Sequence, residues 1–152
     1  KRLNRPSYNF RKARDYFFKG GGKKIMKNIL LVDDDDQIFQ ILTLLLKKES
    51  INLVRASDGV EAKKLISTKG GFDLLIVDVF MPRMGGLDFC EFINGRYPVL
   101  LISGRKRDEM IWESAPRYDA FLEKDQIKDH LLMAINKAQE RWELFQSTPI
   151  AA

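Results

Sequence analysis

From residue 28 onward the chain alternates between two apolar patterns. Runs at 29–32, 51–56, 72–77, 97–102 and 118–123 have strand length, and the first and third end in acids. Between them apolar residues recur at helical spacing. Ile38, Ile41, Leu42, Leu45 and Leu46 mark a helix expected over 37–48, and Ile127, Leu131, Leu132, Ile135, Ala138 and Trp142 mark a long one over 125–145. Shorter helices are expected over 60–67, 87–93 and 107–115, the last stopped by Pro116. Ser57-Asp58-Gly59 and the stretch 80–86, with Gly85-Gly86, read as turns. The leucines of 44–46 are assigned to the core. Apolar strands alternating with amphipathic helices predict an α/β fold. It has a single domain and a five-stranded parallel sheet, doubly wound by right-handed crossovers with helices on both faces.

Composition narrows the function classes. Hydrophobic residues make up 45% of the 152, enough to bury a core. No apolar run reaches the roughly 18 to 20 residues that cross a bilayer, so no transmembrane segment is expected. No apolar signal stretch follows Lys1-Arg2, so a cytoplasmic setting is expected. A single cysteine, Cys90, excludes an internal disulfide framework, and with one histidine, His130, a structural zinc site has no support. The net charge of +5 is unevenly spread: residues 1–27 hold ten lysines and arginines against Asp15 alone, and the rest is net acidic. Residues 1–25, basic and aromatic and ending in Gly20-Gly21-Gly22-Lys23-Lys24, read as a tail on a folded unit at 26–146, with 147–152 a short C-terminal tail. The tail is expected to be a flexible or vector-derived leader. An amphipathic membrane-surface element and a nucleic-acid contact are the alternatives.

In an open α/β sheet, ligands bind beyond the carboxyl ends of the strands. The expected strands deliver Asp33 and Asp34, Asp78, Ser103 and Lys124 to that rim. Three carboxylates gathered there repel one another unless a divalent, oxygen-seeking ion neutralises them, and Mg²⁺ suits such a set. One carboxylate can then attack phosphorus, while a hydroxyl and an ammonium contact the phosphoryl oxygens.

These residues carry a resemblance. Leu30-Leu31-Val32-Asp33-Asp34, Ala56-Ser57-Asp58-Gly59-Val60-Glu61-Ala62, Leu75-Ile76-Val77-Asp78-Val79-Phe80-Met81-Pro82, Pro98-Val99-Leu100-Leu101-Ile102-Ser103-Gly104 and Ala120-Phe121-Leu122-Glu123-Lys124 follow one another in the order and spacing of a known pattern. The chain from 28 to about 145 resembles the receiver domain of two-component response regulators. The resemblance implies a flavodoxin-like receiver fold with Asp78 as phospho-acceptor. It implies Mg²⁺ held by Asp33, Asp34, Asp78 and the backbone carbonyl of Phe80, with Ser103 and Lys124 on the phosphoryl group. Ser103 and Phe121 would be the switch residues. Phe80 and Arg105 flank the site at positions that tune phosphoryl lifetime in the family. The implied donor is a histidine kinase or histidine phosphotransfer protein, and the implied target is a downstream protein. The face built from 107–115, 118–123 and 125–145 would respond to phosphorylation and could form a dimer. One departure is plain: Asp125 stands where the family usually carries proline, so a trans peptide bond is expected and Asp125 is free to cap the last helix.

Plainer readings stand beside these. Asp35 and Asp36 are expected to cap and charge the first helix. Cys90 is expected in the core and His130 on the surface, and Trp112 and Trp142 are expected to serve packing. Because only 146–152 follow the last helix, a stand-alone receiver without a DNA-binding domain is expected. The alternatives are a receiver fragment of a longer regulator and a degenerate receiver used as an interaction scaffold. An aspartyl phosphatase built on Asp33-x-Asp35 has no inserted cap to cover a substrate. Self-phosphorylation and slow self-dephosphorylation aside, no enzyme activity is expected.

Overall fold

The computed structural model describes residues 26–109 and 116–149. The expected tail at 1–25 and Trp112 lie outside the described residues. The elements run β1 (Asn28–Val32), α1 (Asp36–Lys47), β2 (Asn52–Ala56), α2 (Gly59–Thr68), β3 (Leu74–Asp78), α3 (Gly86–Ile93), β4 (Val99–Ser103), β5 (Ala120–Glu123) and α4 (Ile127–Ser147). All strand pairs are parallel, in the order β2-β1-β3-β4-β5. The doubly wound, five-stranded α/β sheet read from the sequence is therefore the observed fold.

The strands form because both faces of the sheet are covered. Successive residues of β1, β3 and β4 point to opposite faces, and nearly every one is buried. Ile29, Leu31, Ile76, Leu100 and Ile102 pack with Leu42, Leu46, Ile135 and Ala138 of α1 and α4. Leu30, Val32, Leu75, Val77 and Leu101 pack with Ala62, Phe89, Cys90 and Ile93 of α2 and α3. Cys90 is thus a core residue, and His130 lies exposed on α4. Asp35 caps α1, accepting from the amides of Gln37 (2.8 Å) and Ile38 (3.4 Å). Asp58 caps α2 through the amide of Glu61 at 3.0 Å, and Glu61 reaches back to the Ser57 amide at 2.8 Å, a reciprocal cap.

Several expectations need correction. Leu44 is not core: it is 67% exposed, because the helical repeat that buries Leu42 and Leu46 turns the residue between them outward. Asp125 does not cap the last helix. The chain first makes a 3-10 turn over Lys124–Gln126, so the helix starts at Ile127 after Gln126, with no side-chain cap. The expected helix over 107–115 begins as a 3-10 turn at Arg107–Glu109, and 110–115 lie outside the described residues. β3 and β5 each start two residues later than their apolar runs, and an aspartate holds the chain just before each of them. Asp73 accepts from the Lys27 and Asn28 amides (2.8 and 2.9 Å), and Asp119 from the Val99 amide (2.9 Å). Among the described residues no helix is long and apolar enough to cross a membrane.

Candidate functional site

The strand ends build one lip. Asp33 follows β1 directly, its amide on the Ala56 carbonyl at 3.0 Å. Its Oδ1 accepts from the Asp35 amide at 2.9 Å, while its buried Oδ2 lacks a well-aligned hydrogen bond and has the Lys124 Nζ 2.9 Å away. Asp34 is exposed. Asp78 ends β3 almost fully buried, with Lys124 Nζ 3.3 Å from its Oδ2. Carboxylate oxygens of Asp33, Asp34 and Asp78 lie within 4.8 Å of one another. Lys124 comes from the far end of β5, and its peptide bond to Asp125 is trans. The residue that replaces proline leaves the ammonium within reach of both buried carboxylates.

Electrostatics follow from this crowding. Burial pushes the Asp78 carboxyl up to about 6, the Asp33 charge adds to the rise, and Lys124 offsets part of it. Burial raises Asp33 as well, against the pull of the Asp35 amide and Lys124. Burial alone would lower Lys124, but Asp33 and Asp78 outweigh it and hold the ammonium above its ordinary range.

Ser103 ends β4, one residue beyond the partner of Asp78 in the ladder. It is buried, and its hydroxyl accepts from the Arg105 amide at 3.1 Å. Phe80 and Arg105 meet over the mouth, the guanidinium 4.7 Å from the ring centre, and both line the open cleft with Asp34, Asp35, Asp78, Gly104 and Lys124. Phe121 is half-buried on the α2–α3 side of the sheet, beside Leu101 in the ladder.

The sequence reading missed three supports. Arg55 of β2 donates to the Asp33 carbonyl at 3.0 Å and to the Asp36 carboxylate, bracing the first acidic loop. Arg83 pairs with buried Asp58 across 25 positions of sequence. A Cβ on Gly86 would meet the Asp78 carbonyl oxygen at 2.0 Å, so α3 begins against the backbone of Asp78 only because residue 86 is glycine. No local pattern announces the first two. The glycine pair was visible, but only as a turn.

A family model described as the response regulator receiver domain matches residues 29–136, more than half of the chain. The chain belongs to the response regulator receiver family. Receivers are the signalling modules of two-component systems rather than conventional enzymes, and phosphorylation-dependent signalling is their general function. Among curated relatives, the uncharacterized transcriptional regulatory protein YcbL of Bacillus subtilis is 36% identical over 73 residues, covering 47% of this chain and 32% of that protein. The Regulator of RpoS of Escherichia coli K12 is 51% identical over 55 residues, covering 33% and 15%. The chain thus spans about a third or less of the length of these curated relatives. Among solved structures, the Thermotoga maritima response regulator TrrA, in complex with Mg²⁺ and BeF, superposes with a TM-score of 0.63 at 29% identity, over 74% of this chain and 99% of that one. A receiver domain protein from Clostridium thermocellum gives 0.66 at 26% identity, over 79% and 99%.

Receivers bind Mg²⁺ at an acidic pocket, and the donor set here fits that ion. The ligands offered are all oxygen, and two of the three carboxylates are buried. Asp33, Asp34 and Asp78 are the carboxylates that could hold it.

Proposed function

We propose that this receiver accepts a phosphoryl group on Asp78, with Mg²⁺ at the acidic lip, and that the modified form changes which protein it binds. The observation that supports this best is Asp78 itself, a buried carboxylate flanked by two others, with a lysine ammonium 3.3 Å away. The phosphodonor in this reading is a phosphohistidine of a histidine kinase or histidine phosphotransfer protein. A carboxylate oxygen of Asp78 forms a bond to phosphorus as the phosphorus–nitrogen bond breaks. The leaving imidazole takes up a proton, and the product is an acyl phosphate. Bound Mg²⁺ supplies charge neutralisation for the phosphoryl oxygens. Lys124 holds Asp78 before transfer and pairs with a phosphoryl oxygen afterwards. Ser103 gives up its bond to the Arg105 amide to donate its hydroxyl proton to another oxygen, and Phe121 follows it inward. Phe80 and Arg105 shield the acyl phosphate from water across the mouth. The proposed unit is 26–146, with buried Met26 its first core residue.

The test is intact-mass measurement after incubation with acetyl phosphate and Mg²⁺. The wild type is expected to gain the mass of one phosphoryl group and Asp78→Asn none. Equal gain in both removes Asp78 from the role.

A further inference from the structure

We propose that Arg83, acting through Asp58, is a positioning residue for the loop that carries the Phe80 carbonyl, and so sets how tightly the acidic lip holds Mg²⁺. The inference rests on the metal reading above and deepens it. Neither residue lines the acidic cleft.

Among the described residues, the backbone-to-backbone hydrogen bonds of the loop between β3 and α3 lie at its two ends. At its start the Val79 amide donates to the Ile102 carbonyl and the Val79 carbonyl accepts from Gly86, both at 3.0 Å. At its far end the Met84 carbonyl accepts from the Gly59 amide at 3.2 Å, and the Met84 side chain lies so close over Gly59 that a Cβ there would be 2.5 Å from it. Between these anchors Phe80, Met81 and Pro82 make no backbone-to-backbone hydrogen bond among the described residues, but the Phe80 amide bonds the Asp78 carboxylate and Met81 packs partly buried against the core. Asp78 thus ties Phe80 from the strand side, and on the helix side the next polar tie is the Arg83 side chain.

That fixed point is built at a cost to the backbone. Arg83 sits at φ +63°, the left-handed region that favours glycine. Its side chain is 63% exposed, so packing does not hold it there. Its guanidinium instead grips Asp58 Oδ2 with two nitrogens, Nε and one terminal amine. Asp58 is only 2% exposed, and its other oxygen is occupied in capping α2. The acceptor is therefore as rigid as the helix end itself. A glycine at 83 would suit the backbone better and would drop the grip. The arginine exchanges backbone ease for a loop referenced to α2. Ligands oriented by such outer partners lose affinity when the partner is removed.

The test is calorimetric titration of Mg²⁺ into the wild type, Arg83→Lys, Asp34→Asn and the double variant Arg83→Gly with Asp58→Asn, together with urea unfolding of each without metal. The double variant keeps the helix cap, since asparagine caps as well as aspartate, leaves no buried unpaired charge and relieves the strained φ. It is expected to keep wild-type stability without metal and to bind Mg²⁺ about tenfold more weakly. Arg83→Lys, which keeps a charge on Asp58 but not the two-pronged geometry, is expected to fall between. Unchanged Mg²⁺ affinity in the double variant, with binding lost in Asp34→Asn, overturns the positioning role and leaves the metal site standing. If the double variant does not fold, Arg83→Lys decides in the same way. A wild type that takes up no Mg²⁺ overturns the metal reading, and this proposal with it.

Discussion

Asp78 is held well above the ordinary carboxylate range. Buried beside Asp33, it titrates near 6 rather than near 3.8. Between about pH 4 and pH 6 the folded protein keeps a proton that the unfolded chain has released, so folding stability falls as pH rises through that window. The ceiling for this one group is about 3 kcal/mol, from the size of the shift. Asp33, also raised, has the same sign. Asp58 and Glu61 are lowered, so their contributions disappear only at more acid pH. The Glu61 amide and the Arg83 guanidinium outweigh the burial that would raise Asp58, and the Ser57 hydroxyl and amide lower Glu61. Asp78→Asn is therefore expected to be more stable than the wild type at pH 7.5 without metal, and to show a flatter decline from pH 4.5. Urea unfolding at the two pH values checks this. A wild type that gains stability over the same interval contradicts it.

At the scale of elements, the junction of β3 and α3 makes the sharpest prediction, because two adjacent glycines differ completely in what surrounds them. A Cβ on Gly86 meets the Asp78 carbonyl at 2.0 Å, while one on Gly85 meets only the Val79 carbonyl at an ordinary 3.5 Å. Gly86→Ala is expected to cost about 3 kcal/mol or more and to displace Asp78, whereas Gly85→Ala changes stability by less than about 1 kcal/mol. Thermal unfolding of the pair separates them. β1, β3 and β4 were legible in the sequence because burial on both faces writes itself as apolar runs, and most rim residues followed from where those runs stop. Element ends were less legible. Asp73 and Asp119 fix the chain just before β3 and β5 through bonds to the Asn28 amide of β1 and the Val99 amide of β4, and such partners leave no local mark. The same reason hid Arg83 and Asp58, which look like ordinary turn residues until the fold sets them side by side. Leu44 was misread because a run of leucines conceals which one the helix turns outward.

For the whole molecule, a ligand that binds only the folded state adds stability by mass action. Mg²⁺ at a hundredfold excess over its dissociation constant is expected to stabilise the wild type by about 2.7 kcal/mol. It is expected to leave Asp34→Asn unchanged, with thermal unfolding at pH 7.5 the measurement. Equal stabilisation of both places the ion elsewhere. The architecture also ties the lip to the opposite floor of the sheet. The 3-10 turn that begins at Lys124 runs straight into α4, a rod of 21 residues and about 31 Å. Near its other end Trp142 and Gln146 both hook the Gly95 carbonyl, at 2.8 and 3.0 Å, in the connection that leads into β4. A strut fastened at both ends fixes its own lie: one helix spans from the ammonium at the lip to the carbonyl that anchors it beneath the strand that ends in Ser103.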